Sequence, residues 1–237
     1  MEYVLSVLMG YTIGSAPVVF LIAKARGVDL RGSGTGNLGG GNLWAQTGNW
    51  TGAAGMAVDL AKGPAAVLLV RGLGLGVGAE AISAVAAVSG QMWPFTLGFR
   101  GGRGNLTAGG GLLALSPLIG LLGWVVLGAL MSTRLLNVFT RQAPMVGTTS
   151  RITPIAALAG IGAYGSIALA VGNLPVAGAG GAVLALVLVR RVTAPWPRNP
   201  ETGVVPKRSI VSALLFDRPA QPAVREGSNT SSKPTPM

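Results

Sequence analysis

From Tyr3 to Ala23 the chain carries no charged side chain, a run long enough at roughly 20 residues to cross a hydrocarbon core of roughly 30 Å. Five further apolar blocks follow, at 53–71, 76–97, 106–131, 152–171 and 174–189. Inside a bilayer, backbone N–H and C=O groups must find partners within the protein, so blocks of this length are expected to be helices. Composition agrees. Charged residues are 11% of the chain, against about 25% in a soluble domain, which excludes an ordinary soluble enzyme and a disordered chain. Aromatic residues are 5% and glycines number 38, so small residues supply the apolar character and let helices approach closely. The predicted fold is an all-α, multispanning integral-membrane helical bundle.

Charge sets the expected topology. Lys24 and Arg26 follow the first block and Glu2 precedes it, which argues against a signal peptide and places the N-terminus outside. Stretches 24–49, 92–105, 132–151 and 190–237 hold most of the Lys and Arg, while 72–80 and 172–174 hold none. Six spans would leave Arg134, Arg141, Arg151 and the basic tail outside. If block 106–131 breaks at Ser116-Pro117 and reverses, every basic stretch becomes cytoplasmic, giving about seven membrane segments, some short or broken. Six spans with one loop against the charge rule is the alternative. The division expected is a membrane domain over 1–191 and a polar, Pro-rich cytoplasmic tail over 192–237, disordered at its end. Within that tail Ile210 to Phe216 could form a short amphipathic turn, but a loop is favoured.

The chain has no Cys and no His. A disulfide frame, a thiolate metal site, a Cys nucleophile and a Ser-His-Asp triad are excluded, and neither metal nor cofactor is expected. The net charge of +11 fits cytoplasmic loops first and an anionic substrate or lipid headgroup second. Nucleic acid fits poorly, because no basic face interleaves with aromatics.

Three polar stretches could carry chemistry. The first runs from Asp29 to Asn42 in the first cytoplasmic loop. Gly34, Gly36, Gly39 and their neighbours allow consecutive N–H groups to converge on an anion. Thr35, Asn37 and Asn42 add donors, and Arg31 adds charge. A plain interhelical loop is the other reading, since no nucleotide-binding Gly-Lys-Ser/Thr ending is present. The second stretch is Asp59 with Lys62-Gly63-Pro64. Asp59 and Lys62 stand three apart on a helix, share a face, and lie inside an apolar block where charges usually line a polar site. An interfacial pair is the alternative. The third is Gly90-Gln91-Met92-Trp93-Pro94, followed by Phe99-Arg100-Gly101-Gly102-Arg103-Gly104. Arg binds phosphate bidentately and glycine permits close backbone approach, although a basic turn accounts for the pattern too. Asn49-Trp50-Thr51 and Asn105-Leu106-Thr107 match a glycosylation pattern but fall at cytoplasmic loops.

Together these stretches resemble the bacterial PlsY-type acyl-phosphate:glycerol-3-phosphate acyltransferases over roughly 11–117. The family's first helix ends like Gly14-Ser15-Ala16-Pro17 through Ile22-Ala23-Lys24. Its first-loop pattern, Gly-Ser-Gly-Asn-x-Gly-x-x-Asn, lands on Gly34, Thr35, Gly36, Asn37, Gly39 and Asn42, with Arg31 just before. Asp-x-x-Lys-Gly matches Asp59, Lys62 and Gly63, and Leu115-Ser116-Pro117 also fits. The family's Gly-His-x-x-Pro and Phe-Lys-Gly-Gly-Lys-Gly align with Gly90 to Pro94 and Phe99 to Gly104. Here Thr35 replaces the family Ser, Gln91 replaces its His and Arg103 replaces its last loop Lys. A family Arg falls near Ala45, and its C-terminal His/Asn motif has no counterpart after Arg190.

The resemblance implies acyl transfer from acyl-phosphate to glycerol 3-phosphate, forming lysophosphatidic acid, the first step of phospholipid synthesis, in the bacterial inner membrane. It implies acyl-phosphate, glycerol 3-phosphate and membrane lipid as partners. It makes Thr35, Lys62 and Arg103 the catalytic residues. Arg31, Gly34, Gly36, Asn37, Gly39, Asn42, Asp59, Gln91, Arg100, Gly101 and Gly102 become substrate-binding residues. Two rivals remain: a degenerate homologue that binds phosphate or lipid headgroup as a partner subunit, and a small transporter, for which no inverted repeat is visible.

Overall fold

A computed structural model describes residues 1–48, 50–139, 152–194 and 210–215. Among these residues there are ten α-helices and no strand. The first apolar block is not one helix. α1 (Glu2–Ser15) and α2 (Val18–Ala25) are separated at Ala16-Pro17. Ala16 takes φ −58° and ψ 120°, the extended geometry that a following proline imposes. The two helices together still form one apolar segment, Glu2–Ala25, long enough to cross a membrane. α3 (Gly40–Thr47) ends on Gly48 at φ 58°, and α4 (Trp50–Gly72) and α5 (Gly76–Met92) follow. Block 76–97 therefore ends its helix early; a 3-10 turn covers Phe95–Leu97 beyond Pro94.

Block 106–131 breaks where the sequence places the break. α6 (Asn105–Leu115) stops, Ser116 is extended at φ −143°, and α7 (Pro117–Phe139) starts on proline, the residue best suited to a first helical position. α8 (Ile152–Ala170) and α9 (Leu174–Thr193) complete the bundle. Ile210–Leu215 forms α10, against α8 and α9, where a loop was favoured. Packing on the helix pair gives this short segment a partner that its own length cannot supply. Arg141, Arg151 and tail residues 195–209 and 216–237 lie outside the described residues, as does Asn49 of one glycosylation pattern.

Among the described residues, four segments are long and apolar enough to cross a membrane: Glu2–Ala25, Trp50–Gly72, Ile152–Ala170 and Leu174–Thr193, with Asn105–Leu115 and Pro117–Ser132 as shorter apolar helices. Leu8, Leu118, Val125 and Leu169 stand exposed on the outside of the bundle, as lipid-facing side chains do. Within it, α1 packs on α5, α4 on α6, α7 on α8, and α9 on both α8 and α5. Gly10 and Gly14 bring α1 so close to α5 that a Cβ at either would strike the carbonyls of Ser83 or Ala87. At the far end of α4, Arg71 pairs with Glu80 at 2.7 Å and donates to the Ala114 carbonyl at 2.9 Å. That places a charged clamp on the α6 end, where orphan carbonyls need donors.

Candidate active site

The 29–42 loop is held at both ends. Leu30 and Leu38 are buried in a small apolar cluster with Val19, Ala23 and Leu43, so the segment is not a free linker. Asn42 shapes its interior. The Asn42 amide donates to the carbonyls of Leu30 (3.2 Å) and Ser33 (3.1 Å), and its oxygen accepts from the Thr35 N–H at 3.1 Å. Gly34 and Gly36 have φ of +57° and +65°, a region that costs other residues strain. Thr35 and Asn37 are half-buried on this turn, and Arg31 is exposed with its guanidinium 5.3 Å from the Phe20 ring. Asn42, expected as a substrate donor, spends its donors on the loop itself.

The loop meets α4 at Asp59. Asp59 Oδ2 accepts from the Gly40 N–H at 2.7 Å, at the N-terminus of α3, and Oδ1 accepts from Gln91 Nε2 at 2.8 Å. Lys62 Nζ lies 3.6 Å from Oδ1 and donates to Gln91 Oε1. Asp59, Lys62 and Gln91 are 4%, 7% and 5% exposed, so the pair faces the interior of the protein. Burying two charges demands opposite charge and full hydrogen bonding. Gln91 supplies the second part: its amide bridges the acid and the base. Thr107, on α6, donates to the Asp59 carbonyl at 2.8 Å.

The third stretch folds onto the same cluster. Gly102 N–H donates to the Gln91 carbonyl at 2.8 Å and Gly101 N–H to the Met92 carbonyl at 3.2 Å. A Cβ on Gly102 would stand 2.8 Å from Gln91 Nε2, and one on Gly39 would stand 3.1 Å from Asp59 Oδ2 and 3.9 Å from Gly102 Cα. All three sequence stretches thus converge at Asp59. The N–H groups of Gly101 and Gly102, two of the expected substrate-binding residues, are taken up by the last carbonyls of α5. Arg103 is half-buried and Arg100 exposed. Arg190, which the sequence left in a basic cluster, turns inward from α9. Its Nε donates to the Gly102 carbonyl at 3.1 Å and Nη2 to the Gly101 carbonyl at 2.8 Å, with the guanidinium 5.6 Å from the Trp93 ring. Only its place at the end of an apolar block hinted at this.

Beside the cluster lies a narrow, partly open cleft, whose lining includes Ser15, Pro17, Lys62, Gln91, Gly101 and Gly102. Val19, Phe20, Leu38 and Leu97 give it an apolar side. It therefore offers a buried cation and amide next to a hydrocarbon surface.

The family model described as Glycerol-3-phosphate acyltransferase matches residues 4–171. The chain belongs to the glycerol-3-phosphate acyltransferase family. Among curated relatives, a glycerol-3-phosphate acyltransferase of Rubrobacter xylanophilus is 44% identical over 159 residues, covering 65% of this chain and 75% of the relative. One from Roseiflexus sp. (strain RS-1) is 38% identical over 191 residues, covering 78% and 86%. A crystal structure of PlsY (YgiH), described as an integral membrane glycerol 3-phosphate acyltransferase in its glycerol 3-phosphate form, superposes with a TM-score of 0.65. It is 27% identical and is matched over 81% of this chain and 88% of that one. This glycerol-3-phosphate acyltransferase family member is accordingly an integral membrane protein, and its three polar stretches lie within the matched region.

Proposed function

We propose that this chain transfers a fatty acyl group from acyl-phosphate to glycerol 3-phosphate, yielding lysophosphatidic acid and inorganic phosphate. The observation that carries the reading is the convergence of three polar stretches on the buried Asp59–Lys62–Gln91 cluster, at the wall of a cleft with an apolar side. An acyl phosphate is already activated, so the site must position two phosphate-bearing molecules and neutralise charge rather than form an acyl-enzyme. A glycerol hydroxyl oxygen attacks the acyl carbon, the C–O bond to phosphate breaks, and its electron pair leaves with the phosphate. The departing phosphate takes the hydroxyl proton, a step that needs no histidine.

Lys62 and Arg103 neutralise phosphate charge in this scheme, and Asp59 with Gln91 fixes the Lys62 ammonium. Thr35, Asn37 and the Gly34–Gly39 backbone face the second phosphate, with Arg31 and Arg100 at the exposed rim. Asn42, Gly101, Gly102 and Arg190 hold the loops in shape. The protein sits in the bacterial inner membrane with seven segments, its N-terminus outside and the site loops cytoplasmic, so that Lys24, Arg26, Arg100 and Arg103 obey the positive-inside rule. The membrane domain spans 1–191 and the tail 192–237.

The test is acyl transfer from palmitoyl phosphate to radiolabelled glycerol 3-phosphate by purified protein in lipid. Product that forms with the unaltered chain, and forms at least about 10-fold more slowly with Arg103→Ala, supports the reading. Absence of product from folded protein that binds phosphate overturns it in favour of a non-catalytic binder.

A further inference from the structure

Ser15 is the last residue of α1, it is 0% exposed, and it lines the cleft. Its Oγ is buried with no hydrogen-bond partner. That is unusual for a helical serine in this chain. Ser6, on the same helix, donates to the Glu2 carbonyl at 2.9 Å, and Ser89 donates to the Val85 carbonyl at 3.1 Å. The equivalent bond from Ser15 would go to Tyr11, and it is not made. The residue is nonetheless fixed from two sides. Thr96 Oγ1 donates to the Ser15 carbonyl at 2.7 Å, and a Cβ on Gly90 would stand 3.0 Å from Ser15 Oγ. An unsatisfied buried hydroxyl costs stability, and such groups are rare enough to call for an explanation. The neighbours supply one: Lys62 and Gln91 line the same cleft, and an anion there would meet a cation, an amide and a hydroxyl together.

We propose that Ser15 is a substrate ligand, its Oγ donating a hydrogen bond to a phosphoryl oxygen seated beside Lys62. The proposal rests on the reading of this cleft as the acyltransferase site and adds a residue to it. Phosphoryl oxygen is offered by either substrate, the acyl phosphate or glycerol 3-phosphate. Loss of the hydroxyl removes a donor to a charged acceptor and removes an unsatisfied polar atom from the unliganded protein. Ser15→Ala is therefore expected to weaken substrate binding while leaving the fold as stable as before, or more so. A structural serine would behave in the opposite way.

The test measures KM for palmitoyl phosphate and for glycerol 3-phosphate separately, each with the other saturating, in the unaltered chain, Ser15→Ala and the control Ser6→Ala. Melting temperatures in detergent are recorded with and without inorganic phosphate. A rise in one KM of about 10-fold or more, with an unlowered melting temperature and a silent Ser6→Ala control, supports the proposal and tells which phosphate Ser15 holds. Unchanged KM values in folded Ser15→Ala overturn it. If the unaltered chain gives no turnover, the acyltransferase reading fails, and the phosphate-dependent rise in melting temperature decides on Ser15. A rise present in the unaltered chain and in Ser6→Ala but diminished in Ser15→Ala supports the ligand role. An equal rise in all three, or none in any, overturns it.

Discussion

Arg190 donates from Nη2 to the Gly101 carbonyl at 2.8 Å, across 89 residues of chain. With Nε on Gly102 at 3.1 Å, one planar guanidinium holds two consecutive carbonyls of the glycine loop. A lysine would replace this fixed planar fork with a compact ammonium on a flexible stem. Arg190→Lys is therefore expected to raise KM for glycerol 3-phosphate by about 10-fold, the worth of one hydrogen bond to a charged donor, while the protein stays folded. Steady-state kinetics beside a detergent melting curve checks this; an unchanged KM would mean that α9 does not set the loop.

Asp59 and Lys62 are coupled with Gln91 in a buried network, so removing one charge exposes the other. Asp59→Ala is expected to lose about 3–5 kcal/mol of stability, because an uncompensated ammonium remains inside the bundle. The double variant Asp59→Ala, Lys62→Met is expected to recover much of that loss without recovering any acyl transfer. Chemical denaturation of the three proteins and one activity assay separate the two effects. A double variant as unstable as the single one would contradict the pairing.

Two glycines predict opposite outcomes for the same substitution. A Cβ on Gly101 would collide with the Gln91 carbonyl and Pro94 Cδ, whereas one on Gly41 meets nothing within 4 Å. Gly101→Ala is expected to displace the loop and reduce kcat/KM by about 100-fold, the scale of an ångström-sized misplacement. Gly41→Ala, on α3, is expected to stabilise by about 0.5–1 kcal/mol through helix propensity and a less flexible unfolded chain. Parallel melting curves and rates decide both.

The two loop arginines differ in exposure: Arg103 is half-buried beside the glycine loop and Arg100 faces outward. Arg103→Ala is expected to lower kcat/KM by about 10- to 150-fold, as for a lost charge-assisted hydrogen bond. Arg100→Ala is expected to cost only a few-fold and to depend on salt, as exposed charges do. Equal losses for the two would move the site toward the surface.

Much of this arrangement could be read from residue order. Block length located the four long apolar segments, and the single Pro117 in block 106–131 marked the break between α6 and α7. The i, i+3 spacing of Asp59 and Lys62 foretold their pairing. Other features left no local trace. Pro17 breaks the first block, but both its flanks are equally apolar, so composition could not tell one helix from two. Asn42 and Gly101 looked like ligands because polar and glycine residues suit anions. The Asn42 amide bonds within its own loop and the Gly101 N–H donates to Met92 at the end of α5, partners that tertiary packing sets. Arg190 was hidden because the positive-inside rule already explained a basic residue there. α10 escaped because six residues carry too little periodicity to outweigh a Pro-rich context.

The glycine seam between α1 and α5 has an evolutionary consequence. Gly10, Gly14 and Gly90 each face a carbonyl of the opposing helix so closely that any Cβ would strike it. Every single-base change that turns a glycine codon into another amino acid adds a Cβ. At these three codons there is no conservative first step, and overpacking a fitted contact costs about 1–3 kcal/mol. Sequence drift in this protein is therefore expected to run along its lipid-facing leucines and valines, while the seam that seats Ser15 changes only when both helices change together.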